Sequence, residues 1–164
     1  MAKSKKTGAG GKTGETGDAA EIGYCGLYCA ECPSHVGKIA DLARDLRKEL
    51  RAMRYEKAAE QLSKISFFKA LEHYPECYEV LGQMVKMRCN RVCRTGGGNP
   101  ACKVRICARK NGYEGCWECA EFEKCSKMDF LKGVHGRAHT ENLKTIKKGG
   151  VEKFLKGKKH WYCE

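Results

Sequence analysis

Cysteine is the residue through which this chain can do chemistry. Twelve of its 164 residues are cysteine, and ten of those fall in two segments. The first reads Cys25-Gly-Leu-Tyr-Cys29-Ala-Glu-Cys32-Pro33, a C-x3-C-x2-C spacing. The second places Cys89, Cys93, Cys102, Cys107, Cys116, Cys119 and Cys125 within 37 residues. In a C-x2-C step, two thiolates on one tight turn can face a single ion at about 2.3 Å while backbone N–H groups donate to the sulfurs. Cys29 with Cys32, and Cys116 with Cys119, are therefore the firmest ligand candidates, and the spacing adds Cys25, Cys102, Cys107 and Cys125, then Cys89 and Cys93. The expected cofactor is Zn²⁺, two ions, each held by four thiolates. The alternative is a [4Fe–4S] cluster, because soft thiolates suit both and the first triad permits a cluster with one distant cysteine. Which cysteines share an ion does not follow from spacing.

Chains this rich in cysteine are either disulfide scaffolds or metal proteins, and the compartment decides. Met1-Ala-Lys-Ser-Lys-Lys-Thr has basic residues with no apolar run after them, so it does not read as a secretory signal. No stretch approaches the roughly 18 apolar residues of a membrane span. The expectation is a cytoplasmic protein whose cysteines are thiols or thiolates, and metal over disulfide.

Other chemistry fits poorly. The C-x3-C-x2-C spacing also occurs in radical enzymes using S-adenosylmethionine, but those need alternating strands and helices, and here Glu31 precedes the third cysteine. A redox dithiol at Cys116-x2-Cys119 lacks its βαβ setting. Neither C-x2-C is followed by histidine, which excludes covalent haem. Gly10-Gly11-Lys12-Thr13 imitates a phosphate-binding loop but has Lys6 where the first glycine is needed. His135 and His139 stand four apart, with Gly133 and Gly136 weakening any helix between them, and are expected at the surface or at a cap. No nucleophile with its base is visible, so no catalytic residue is assigned and enzyme activity is not expected.

The elements that must position these cysteines read as helical. Residues 1–20 are Gly, Lys, Thr and Ala without periodicity and form an expected disordered tail, leaving 21–164 as one cysteine-rich domain. A helical insert is expected around 36–87, where Ile39, Leu42, Leu46, Leu50, Met53 and Leu62 recur at helical spacing. Pro75 suits the first turn of a further helix with Tyr78, Leu81 and Val85 on its apolar face. Cys77, alone in that helix, reads as a small buried hydrophobe. A last helix is expected from an N-cap at Thr140, with Gly149-Gly150 ending or kinking it, since two glycines cost about 2 kcal/mol relative to alanine. His160-Trp-Tyr-Cys163 would lie on a frayed end. The fold class is mainly α: a small irregular cysteine-rich domain, its amphipathic helices clamped by metal-binding loops.

The formal charge is +12, with four lysines and two acids in residues 1–20 leaving +10 for the rest. Arg88, Arg91, Arg94, Lys103, Arg105, Arg109 and Lys110 crowd the second cysteine segment, with Tyr113 and Trp117 nearby. Such a set could bind an acidic protein or stack and neutralise a single-stranded nucleic acid. The competing reading, preferred here, is that these cations offset the negative charge of thiolate sites. No membrane partner is expected.

Tyr24-Cys25-Gly-Leu-Tyr-Cys29-Ala-Glu-Cys32-Pro33, then Cys102-Lys-Val-Arg105-Ile-Cys107-Ala108, then Cys116-Trp-Glu-Cys119-Ala-Glu-Phe122-Glu-Lys-Cys125 resemble the successive motifs of the prokaryotic domain of unknown function 3795. Glu141-Asn142-Leu143-Lys144-Thr-Ile146 and Phe154-Leu155 resemble that family's terminal helix, so the likeness spans about residues 22–156. The chain departs from the family pattern at Cys89-Asn-Arg-Val-Cys93, one residue longer than a C-x-G-C pair. The resemblance implies a zinc-binding, cysteine-rich domain with no assigned activity.

Overall fold

A computed structural model describes residues 18–163. The Gly10–Thr13 look-alike and residues 1–17 of the expected tail lie outside them. Asp18 Oδ1 accepts from Ala20 N at 2.8 Å and caps a single 3-10 turn, Ala19–Glu21, so regular structure begins before the expected boundary at residue 20. Among the described residues there are seven α-helices and no strand, as the pattern of apolar residues predicts.

The insert is built from α1 (Pro33–Val36), α2 (Lys38–Ala52), α3 (Tyr55–Leu62) and α4 (Tyr74–Lys86). Gly37, at φ 75°, ends α1 and opens α2 in a left-handed conformation that only glycine adopts cheaply. Pro75 sits in the first turn of α4, where a missing N–H costs nothing. Between α3 and α4 the chain is not a continued α-helix but a 3-10 stretch, Ser66–His73, broken at Phe68.

α2 packs chiefly against α4, and the face it buries differs from the expected one. Ala40 and Ala43 go inside, whereas Ile39, Leu42, Leu46 and Met53 are exposed. The seam is filled instead by Arg47, whose guanidinium lies 3.9 Å from the centroid of the Tyr78 ring and also donates to the Tyr78 carbonyl. Small alanines beside a cation–aromatic pair take the place of interlocked leucines. Tyr74, Tyr78, Leu81 and Val85 form the half-buried stripe of α4, which leaves Cys77 off it and exposed. The expectation of a buried Cys77 is thereby corrected.

The main core lies elsewhere, around α5 (Lys103–Lys110), α6 (Asp129–His135) and α7 (Ala138–Lys156). Leu27, Val104, Cys116, Phe122, Met128, Leu131, Ala138 and Leu143 form one buried cluster, and Ile22, Tyr28, Ile146 and Phe154 another. α7 kinks at Gly150, φ 79°, as the glycine pair predicts. Its start does not follow prediction: the helix begins at Ala138, so Thr140 lies inside the first turn. Gly136 turns the chain at φ 55°, and Arg137 N then donates to Cys163 O at 3.2 Å. The C-terminal residues are thus pinned, not frayed, with Cys163 N returning a bond to His135 O at 3.2 Å.

Candidate metal centre

Ten cysteines divide between two cavities. Cys25, Cys29, Cys32, Cys89, Cys93 and Cys102 line the first, of about 250 Å³. The second, of about 30 Å³, is lined by Cys107, Cys116, Cys119 and Cys125.

The first cavity is assembled by short backbone ties. Gly23 N donates to Leu27 O at 2.8 Å, closing a turn that carries Cys25 and needs Gly26 at φ 84°. A Cβ on Gly26 would stand 2.9 Å from Leu143 Cγ, so the turn lies directly on α7. Cys29 and Cys32 occupy one 3-10 turn, with Cys32 N donating to Cys29 O at 3.0 Å, and α1 starts immediately after. Cys89 is carried back to this turn by its N–H bond to Ser34 O at 2.9 Å. The extra residue between Cys89 and Cys93 does not displace them, because both face the cavity. Backbone amides point at sulfurs here, among them Cys93 N at 3.5 Å from Cys29 Sγ and Gly98 N at 3.3 Å from Cys89 Sγ.

The Gly96-Gly97-Gly98 segment forms part of the cavity wall. Gly97 has no room for a side chain, its ideal Cβ falling 1.7 Å from Arg91 O. Arg105 holds this wall. Its Nη1 donates to Gly97 O at 2.7 Å and Cys93 O at 3.2 Å, and its Nη2 to Asn99 O at 2.8 Å and Pro100 O at 3.2 Å. The residue is only 6 % exposed, and among the described residues no carboxylate pairs with it. A buried guanidinium without a counter-ion is costly even when fully hydrogen-bonded. Negative charge on the adjoining sulfurs would supply what the carbonyl dipoles do not.

The second cavity collects four thiols from three local turns. Cys107 projects from α5, and Asn111 Nδ2 donates to its sulfur at 3.6 Å. Cys116 and Cys119 bracket a 3-10 turn, with Cys119 N on Cys116 O at 3.1 Å, and Cys125 closes the next turn by donating to Phe122 O at 3.3 Å. Cys116 N donates to Tyr24 O at 2.8 Å, joining the two cysteine segments through the backbone.

Electrostatics set these thiols apart from ordinary cysteines. Burial pushes the Cys25 thiol up to about 12, an N–H bond from Leu27 opposing it and Cys93, Cys102 and Cys116 adding to it. Burial likewise raises Cys116 to about 12, reinforced by Cys125, Cys119, Cys107 and Cys102, and Cys29 to about 11. Neighbouring thiolates repel, whereas a dication among them reverses that sign. Among the described residues, no three His, Cys, Asp or Glu side chains are drawn together tightly enough to hold an ion as they stand. The donor chemistry nevertheless fits a soft metal: neighbouring thiols, amide donors aimed at sulfur and a buried cation with no carboxylate.

The structure also corrects the expectation for the histidines. His135 and His139 are buried, not at the surface. His135 Nδ1 is 2.9 Å from Trp161 O and its ring lines the first cavity, while burial holds His139 below the usual imidazole range, with His135 and Lys132 adding to the effect. His35, unassigned from sequence, lines the first cavity as well, three residues beyond Cys32 on the same turn of helix. Of the seven basic residues, Arg105 is buried, Arg94 donates to Ile22 O at 3.0 Å and lies over Tyr24 and Trp117, Arg109 donates to Arg94 O, and Arg88 bonds Val36 O and Asp41. Trp117 packs against both core clusters. Most of the set that could have met phosphates and bases is engaged within the chain.

The family model described as "Protein of unknown function (DUF3795)" matches residues 21–130, and the chain belongs to that family. The match covers all ten cavity cysteines and stops before α7, which the sequence resemblance had included. No curated protein and no solved structure shows significant similarity to the chain.

Proposed function

We propose that this member of the DUF3795 family is a metal protein whose thiolates hold structural zinc. Cys107, Cys116, Cys119 and Cys125 would hold one ion, and the six-thiol cavity would hold a second centre. The observation that carries the reading is the division of ten cysteines into two cavities, the smaller, of about 30 Å³, lined by four of them. Bound zinc would supply a tetrahedral tie among sulfurs that come from separate stretches of chain. The residues around it orient those sulfurs: Asn111, Gly98 N–H and Cys93 N–H through hydrogen bonds to Sγ, and Arg105 by fixing the 93–100 wall. Such a tie contributes about 10 kcal/mol or more to folding, which matters in a chain whose insert leaves much apolar surface exposed.

A second reading applies to the first cavity alone. A space of about 250 Å³ is more than one zinc ion needs, and four of the six thiols lining it would suit a [4Fe–4S] cluster acting in electron transfer or redox sensing. Closed all-sulfur sites leave no position for a reactive water, so hydrolase activity is not part of either reading. Both require reduced cysteines and therefore a reducing compartment such as the cytoplasm. Metal and acid-labile sulfide analysis of the chain purified without oxygen tests them together. Two zinc per chain in a colourless protein supports the first, and iron with sulfide, absorbance near 400 nm and bleaching by dithionite supports the second. Less than half an equivalent of any metal would overturn both.

A further inference from the structure

Two imidazoles line the first cavity beside its sulfurs, His35 and His135, and His135 Nδ1 is already paired with Trp161 O at 2.9 Å. His35 follows Cys32 by three residues on α1, with its N–H bonded to Cys32 O at 2.9 Å, so its ring is carried on the same turn as the C-x2-C pair. The ring lines the cavity, and its Nδ1 is buried with no hydrogen-bond partner among the described residues. A buried nitrogen without a partner costs free energy unless something in the cavity uses it. The other nitrogen, Nε2, faces the Glu21 carboxylate, with Oε1 at 4.0 Å. A carboxylate behind one imidazole nitrogen, with the other left free for a ligand, is the arrangement that orients a metal-binding histidine and raises its basicity.

We propose that His35 Nδ1 is a nitrogen ligand to the metal group held by Cys29 and Cys32, with Glu21 as its outer partner. The first cavity is then a mixed sulfur–nitrogen centre, and the second is all sulfur. The inference rests on the metal reading of the first cavity and adds to it a difference between the two centres. A nitrogen ligand also lowers the negative charge of the first centre by one unit relative to a fourth thiolate, which lowers the desolvation cost of burying it. Arg105 remains the cation that balances the rest.

The test is anaerobic titration of the full, metal-free chain with Co²⁺ alone, read by ligand-field and sulfur-to-cobalt charge-transfer bands, with X-ray absorption on the zinc-loaded protein counting nitrogen against sulfur. Wild-type protein is expected to bind two equivalents, with one nitrogen donor among its ligands. His35→Ala is expected to lose the nitrogen contribution and bind its second equivalent about 10- to 100-fold more weakly, and Glu21→Gln to weaken it by about 10-fold with the nitrogen retained. His35→Gln, which keeps the side-chain bulk, guards against a packing effect: it should lose the nitrogen signature while its circular dichroism matches wild type. Two cobalt equivalents with purely sulfur coordination, unchanged in His35→Ala, would overturn the role of His35 and leave the metal reading intact. A wild-type chain that fills only the Cys107, Cys116, Cys119 and Cys125 site would overturn the metal reading of the first cavity, and the role of His35 with it.

Discussion

Asn142, in the second turn of α7, donates through Nδ2 to the carbonyl of Gly26 at 3.0 Å, across 116 residues of sequence. The same amide donates to His160 O at 2.8 Å and accepts from His160 N at 2.9 Å. One fully buried side chain thus fastens the first cysteine turn and the C-terminal segment to a single helix. Asn142→Leu would leave Gly26 O and the His160 amide group without partners in the core. A loss of about 3 kcal/mol is expected, since each abandoned buried group costs roughly 1–3 kcal/mol. Urea unfolding of the metal-loaded variant checks it, and a change under 1 kcal/mol would show that the clasp is not structural.

Serine replacement should sort the cysteines by cavity. Cys116→Ser or Cys119→Ser is expected to lose about one metal equivalent and to spare the first cavity, whereas Cys29→Ser or Cys32→Ser should do the reverse. Cys77→Ser, at an exposed position of α4, should leave metal content unchanged, as should Cys163→Ser, whose sulfur lies 3.3 Å from His160 Nδ1 and lines neither cavity. Loss of metal from Cys77→Ser but not from Cys116→Ser would reverse the assignment.

Arg105 offers a test in which no ligand is touched. Its four carbonyl bonds hold the loop that carries Cys93 and leads to Cys102. Arg105→Lys keeps the charge but lacks the planar fork that spans four acceptors, so it should not restore wild-type behaviour. Both Arg105→Lys and Arg105→Met are expected to release metal from the first cavity at lower chelator concentration, with the second cavity unaffected. Equal release from both would mean that the clasp acts on the whole fold.

Acid sensitivity is expected at His139. The ring is 2 % exposed and its pKa is lowered from the ordinary 6.5, first by burial, then by His135 and Lys132, with Asp129 opposing. The unfolded chain therefore binds the proton more readily than the folded one, and stability falls as pH drops below about 6.5 while being fully present above it. Thermal unfolding of wild type and His139→Phe between pH 5 and 7.5 would read this. The variant should show a flatter pH dependence, and an unchanged slope would assign the effect to another group.

Much of this protein could be read from the order of its residues. Periodic apolar positions between 36 and 87 are enough to dictate helices, because 3.6-residue repetition leaves no strand able to bury them. Gly149-Gly150 fixed the kink in α7 for a local reason, the freedom of glycine backbone. The cysteine knuckles are local too, since Cys29 with Cys32 and Cys116 with Cys119 need only one turn each. What spacing could not decide was partnership. Cys102 and Cys107 lie five residues apart at the start of α5 and in its second turn, yet they face different cavities because the helix rotates them apart. Arg105, one of seven cations crowding the second cysteine segment in the sequence, is buried because four carbonyls of a folded-back loop surround it. The burial of His135 and His139 likewise depends on chain segments that are remote in sequence. Local elements follow from short-range periodicity and backbone sterics, whereas the sharing of a cavity depends on contacts between distant segments that only the packed chain creates.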